Sequence, residues 1–153
     1  MDIDDFIIME ENSIYEAMSK INKNGYGIVI VVDDEHRVKG TLTDGDIRRA
    51  LLRGYILNQS VRDIYTKDFI YVVEPVNYTK LQKVVTSEKF RKRFKTADVV
   101  KIVVVDKQKR LKDVLSVDIR TLAYRSLITD KIVSKYSIRR VLVTGGAGYI
   151  GSI

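Results

Sequence analysis

The chain has no cysteine, no tryptophan and a single histidine among its 153 residues. Without cysteine there is no disulfide framework and no thiolate zinc site. With His36 as the one imidazole, a metal site would rest almost wholly on carboxylates, and Asp2, Asp4 and Asp5 lack the spacing of a calcium loop. No metal site is expected, and His36 is read as a solvated turn residue. No apolar run approaches the roughly 20 residues of a membrane span. The start, Met1-Asp2-Ile3-Asp4-Asp5, is acidic where a signal peptide is basic. A soluble, cytoplasmic chain with no membrane partner is expected. No nucleophile–base pair stands out, so no catalytic residue is named and this chain alone is not expected to be an enzyme.

What is present is an ordinary globular balance, 45% hydrophobic and 31% charged. The length suits one domain, or two small halves sharing a core. The formal net charge of +7 favours an anionic partner without identifying it.

Read in order, Phe6-Ile7-Ile8-Met9 is a short strand. Ser13-x-x-Glu16 is a capping box, and it opens a helix with Ile14, Ala17, Met18 and Ile21 on one face and Gly25 as its stop. The β-branched run Gly27 to Val32 is a strand buried on both faces. After the turn Asp33-Asp34-Glu35-His36 the chain returns as a strand from Arg37 to Leu42. Thr43-Asp44-Gly45-Asp46 then opens a helix to about Arg53, with Ile47, Ala50 and Leu51 inward. Ser60-Val61-Arg62-Asp63 resembles another capped turn.

The order then recurs. Asp68-Phe69-Ile70 repeats Asp5-Phe6-Ile7, Asn77 caps a helix carrying Leu81, Val84 and Val85, and Val104-Val105-Asp106 repeats Val31-Val32-Asp33. Arg110 to Leu115 is the returning strand, Ser116 takes the place of Thr43, and Ile119, Leu122 and Ala123 mark the following helix. The spacing is 63–64 residues at the first strand and 73 at the second. The excess lies between Leu81 and Lys101 and holds Lys89-Phe90-Arg91-Lys92-Arg93-Phe94-Lys95. Aromatics among basic residues can stack bases. A solvated loop with both rings on the core explains them better, and no nucleic-acid partner is expected.

The fold class is α+β, two strand-helix-strand-strand-helix repeats. The duplicated unit, and above all Gly40-Thr41-Leu42-Thr43-Asp44-Gly45-Asp46-Ile47-Arg48-Arg49, resembles a tandem pair of CBS domains, the modules named after cystathionine β-synthase. It is similar to pairs attached to sugar-phosphate isomerases and nucleotidyltransferases. The resemblance covers about residues 3–125 and implies pseudo-two-fold symmetry with two clefts. The repeats are placed at 1–59 and 60–125. It further implies regulatory binding of an adenosine nucleotide (AMP, ADP or ATP), a homodimer, and an associated sugar-nucleotide or sugar-phosphate enzyme as partner. No cofactor is required.

Carried over, Thr43 would contact phosphate or ribose, Asp46 would accept from the ribose diol, Ile7, Ile8 and Ile28 would line an adenine slot, and Arg48 or Arg49 would meet phosphate. In the second repeat Ser116 keeps the hydroxyl, but Asp118 stands two residues on instead of three. On a helix start it would point about 100° from its counterpart. That cleft is expected to be impaired or empty. Thr43-x-x-Asp46 is also a complete helix cap without any ligand, and the two roles are compatible. A ligand-free dimerisation or scaffold module is therefore the alternative.

Residues 126–138 are expected to be a linker. In 139–153, Val141-Leu142-Val143 runs into Thr144-Gly145-Gly146-Ala147-Gly148-Tyr149-Ile150-Gly151, which resembles the opening of extended short-chain dehydrogenase/reductases, the NAD-dependent nucleotide-sugar epimerases and dehydratases. Gly145, Gly148 and Gly151 would approach a cofactor only if a full Rossmann domain followed. NAD binding by this chain is not expected. A further alternative is the N-terminal fragment of such an enzyme.

Overall fold

The structure, a computed structural model, describes residues 2–120. The linker 126–138, the glycine-rich segment 139–153 with Gly145, Gly148 and Gly151, and the helical positions Leu122 and Ala123 lie outside the described residues. The fold is mixed α+β, with two three-stranded sheets. Contacts divide the described residues into two compact units, residues 2–69 with Asp106–Lys112, and residues 70–105 with 113–120.

In the first unit the elements are β1 (Ile7–Ile8), α1 (Ile14–Asn24), β2 (Ile28–Val32), β3 (Val38–Thr43) and α2 (Asp44–Leu52). Strand β2 is central, parallel to β1 and antiparallel to β3. The expected strand at Phe6 begins one residue later. A 3₁₀ turn over Ile3–Phe6, capped by Asp2, takes up the backbone and sends the Ile7 N–H to the Asp4 carbonyl. Phe6 is buried edge-on against Tyr26, ring centroids 5.1 Å apart.

Helix α1 carries the expected capping box and ends at Gly25, whose φ of 70° is the left-handed conformation glycine permits without strain. Ile14, Ala17 and Ile21 are buried, whereas Met18 is exposed. The apolar stripe is centred between Ala17 and Ile21, which leaves Met18 about 70° off its axis. Side chains alternate across the sheet. Ile8, Val29, Val31 and Leu42 face the helices in one core with Ile14, Ile21, Ile47 and Ala50, closed by Val61, Ile64 and Tyr65.

The stretch around Ser60 forms no helix. Its backbone is spent elsewhere, Ser60 bridging to Ser13 and the Val61 N–H bonding the Asn12 carbonyl at 2.9 Å. The chain then crosses Gly40, and Thr41 and Thr66 exchange two backbone bonds of 3.0 and 2.8 Å. The crossing is locked by Glu10, which accepts from the Tyr65 hydroxyl at 2.6 Å and pairs with Lys39 at 2.8 Å and Arg62 at 3.4 Å. The Lys39 bond first and the Tyr65 bond next lower the pKa of Glu10. Burial, aided by Glu10, pushes Tyr65 up to about 12. A raised pKa stabilises the fold below the unfolded value and ceases to do so above the folded one. Tyr65 therefore contributes fully below about pH 10, and the contribution is lost between there and about 12. Tyr65→Phe should cost about 1.5 kcal/mol at neutral pH and flatten that alkaline loss, as urea melts at pH 8 and at pH 11 would show.

Two turns are built alike. Asp33 accepts from the Glu35 and Arg37 N–H groups and from Arg37 Nε, and Asp106 does the same with Gln108 and Arg110. Each turn has one residue at positive φ, the exposed His36 at 63° and Lys109 at 65°. Within the first unit the two turns bond to each other, the Val38 N–H to the Lys109 carbonyl at 2.8 Å and the Leu111 N–H to the His36 carbonyl at 3.2 Å.

The second unit holds β4 (Tyr71–Val73), α3 (Tyr78–Val85), α4 (Glu88–Arg93), β5 (Val99–Val105) and the end of β6 (Leu111–Asp118). Its sheet runs β4-β5-β6, with β4 parallel to β5. Ile70, Val72, Ile102, Val104, Leu115 and Val117 face Tyr78, Leu81 and Phe90. The basic insertion is a helix capped by Ser87. Phe90 is buried with its ring 4.9 Å from that of Phe94, so these rings serve the core and are not presented to bases.

Candidate functional site

At the β3–α2 junction the strand ends and the helix begins within one residue. Thr43 is extended, at φ −106° and ψ 166°, and caps α2. It lies opposite Ile28 in the β2–β3 ladder. Its N–H and hydroxyl both donate to Asp46 Oδ2 at 2.9 Å, while its Oγ accepts the Asp46 N–H at 3.2 Å. Asp46 Oδ1 accepts from Arg49 at 2.8 Å. The Asp46 side chain is 16% exposed, so it can be reached from solvent. A carboxylate offers about four lone-pair sites, of which three are used here. Among the described residues, one position on Oδ1 stays available for a further donor. Thr43 is more constrained, since its proton is committed to Asp46.

Ile7 pairs with Ile30 and shares the sheet face of Ile28 and Thr43, away from the helices. Ile8 does not join them. Its side chain is 2% exposed and belongs to the helix-side core, because one step along a strand reverses the face. Arg49 is tied to Asp46, whereas Arg48 is exposed about 100° further back around α2.

The second repeat differs from the expected displacement of Asp118 on a helix start. Strand β6 runs on through Asp118, so Ser116 and Asp118, two apart on an extended strand, lie on one face. The physical reason is the missing cap. Ser116 Oγ accepts from Lys101 Nζ at 2.8 Å, and Asp118 takes over at the strand end, accepting the Arg120 N–H at 2.9 Å. Ser116 and Asp118 are buried, and burial lowers the pKa of Lys101. Lys101 was missed by sequence reasoning. The signal was there, a lysine interrupting Val99-Val100-Lys101-Ile102-Val103 at the position that 73 residues earlier is Ile28.

Residues 1–53 match the profile of the CBS domain family. A segment of 63 residues is 40% identical to the arabinose 5-phosphate isomerase GutQ of Salmonella typhi, covering 41% of this chain and 20% of that protein. The match thus spans about a fifth of that relative's length. Among solved structures, a CBS domain protein from Pyrobaculum aerophilum complexed with AMP aligns over 72% of this chain and 78% of its own, at 22% identity and TM-score 0.56. A CBS domain pair in complex with 5′-methylthioadenosine and S-adenosyl-L-methionine aligns over 80% and 91%, at 19% identity and TM-score 0.59. The fold is that of a CBS domain pair.

Among the described residues, no group of three or more His, Cys, Asp or Glu side chains is arranged to hold a metal ion. No described helix is long and apolar enough to cross a membrane. Arg37, Lys39, Arg62 and Arg110 are spent on carboxylates.

Proposed function

We propose that the first unit binds an adenosine nucleotide at the β3–α2 junction and that its occupancy regulates an enzyme of sugar-phosphate or nucleotide-sugar chemistry. The observation that carries this is the Asp46 carboxylate, fixed by Thr43 yet reachable, with a vacant acceptor position beside a helix N-terminus. Charge-assisted bonds from a ribose diol suit that acceptor, and Ile7 and Ile28 offer an apolar wall for a base. The CBS protein solved with AMP and the isomerase matched by sequence support the ligand class and the kind of partner. Ligand binding would regulate only through unequal affinity for two states of the protein. Among the described residues we place one such site. In the second unit Lys101 already engages the hydroxyl of Ser116, and Asp118 is turned to the backbone of Arg120.

AMP at about 100 times its dissociation constant should add about 2.7 kcal/mol of stability, read as a thermal shift of the full chain. Asp46→Ala should abolish that shift and cost about 1 kcal/mol through the cap alone. No shift with AMP, ADP, ATP or S-adenosylmethionine would sink the nucleotide reading. A ligand-free dimerisation module is the second reading, favoured by the exposed Tyr15 and Met18 of α1 and by Leu52 and Ile56 at and beyond the end of α2. A stable dimer in light scattering without any nucleotide effect would support it.

A further inference from the structure

The second unit carries a helix that the first lacks. The extra residues between Leu81 and Lys101 fold as α4, started by Ser87, whose Oγ accepts the Phe90 N–H at 3.2 Å. Phe90 is buried and Phe94 packs beside it, so two rings anchor the helix on the core. Every other residue of α4 is exposed. On a helix Lys92 stands opposite Phe90, with Lys89 and Arg91 about 100° to either side of the ring.

Residues 88–95 hold five basic side chains and one acidic, Glu88, which Lys92 takes at 3.0 Å. The other described residues hold seventeen basic and eighteen acidic side chains. The positive excess of the described residues is thus gathered in one place, on a helix held in fixed geometry. Helix energetics do not ask for it. The dipole favours cations in the last turn, which suits Arg91, Lys92 and Arg93, but Lys89 stands in the first turn and Lys95 past the last. Lys89 and Arg93, four apart, are a like-charge pairing that works against a helix. The arrangement gains from an anion brought to it.

We propose that α4 is a docking surface for a short acidic segment of another protein. A helix of six residues is about 9 Å long, which suits a brief run of carboxylates. Nucleic acid is the poorer fit. Single strands are held by stacked aromatics along a basic groove, and here both rings pack on the core. A duplex presents a phosphate about every 1.7 Å, and beyond α4 the described residues offer no surplus of cations to meet it. Nucleotide binding in the first unit is not needed for this surface to act.

The test is fluorescence anisotropy of the full chain with a labelled oligoglutamate peptide, and with single- and double-stranded oligonucleotides of equal charge, at physiological ionic strength. Wild type is expected to bind the peptide more tightly than either oligonucleotide and to release it as salt rises. Arg91→Glu with Lys92→Glu should weaken the peptide about tenfold or more. Arg91→Gln with Lys92→Gln should weaken it about threefold to fivefold, and this milder pair carries the test if circular dichroism shows that charge reversal disturbs the fold. Lys107→Glu with Lys112→Glu makes the same change in charge at exposed positions outside α4, and should stay within about twofold of wild type. No peptide binding, equal losses in the α4 and control pairs, or tighter binding of an oligonucleotide would each overturn the assignment.

Discussion

Gly40→Ala is expected to unfold the first unit, or to leave it destabilised by about 3 kcal/mol or more. A Cβ at this position would sit 2.2 Å from the Thr66 carbonyl oxygen and 2.5 Å from the Tyr65 ring. Neither neighbour can yield cheaply. The carbonyl belongs to the crossing segment, and the oxygen that would have to move accepts the Thr41 N–H at 3.0 Å. Tyr65 is buried and anchored at its far end by Glu10. Relief needs a shift of about 1 Å, which breaks the Thr41–Thr66 bridge and opens the core lined by Val61, Ile64 and Tyr65. The glycine is required by space alone. Chemical denaturation of the variant beside wild type measures the cost. A loss below about 1 kcal/mol would mean that the segment does not cross so closely.

Leu42→Ala should cost about 2–5 kcal/mol. Leu42 is fully buried, stands opposite Val29 in the ladder, and meets residues of both helices in one core. Collapse of the cavity is opposed on both sides along β3, since Thr41 is bridged to Thr66 and Thr43 is bound into the cap of α2. The value should therefore lie in the upper half of that range. The same position tests the candidate site. Thr43 and Asp46 are held by their own hydrogen bonds, so a variant that still folds should keep its affinity for AMP within a few-fold. A measured affinity lost in proportion to stability would show that the site depends on core packing more than on the cap.

Much of this architecture was legible in the chain because it follows from local rules. The run from Ile28 to Val32 could only be a strand buried on both faces, and Ser13-x-x-Glu16 and Thr43-x-x-Asp46 name their helix starts by chemistry. The repeat located the second sheet. What escaped depends on partners distant in sequence or on small differences in pattern. Nothing local says that Gly40 lies under Tyr65 and Thr66. The basic cluster hid a helix, because Ser87 and Glu88 mark its start while the charges after them read as loop. Ile8 and Ile7 were grouped by adjacency, though adjacency on a strand puts them on opposite faces. The end of β6 went unread because Ser116, which stands where Thr43 caps its helix, is instead engaged by Lys101 from the neighbouring strand.

The paired turns have a consequence for how the chain comes off the ribosome. Val38 and Lys109, which bond through their backbones, are seventy-one positions apart, a non-local contact of the kind that slows folding. At about 5–20 residues per second, the start of β3 waits roughly 4–14 s for its partner to be synthesised. Until then the part of the first unit already made has an open backbone edge at Val38, beside a sheet rich in valine and isoleucine. Nascent chains in that interval are the species most exposed to mispairing, and chaperone dependence should concentrate there.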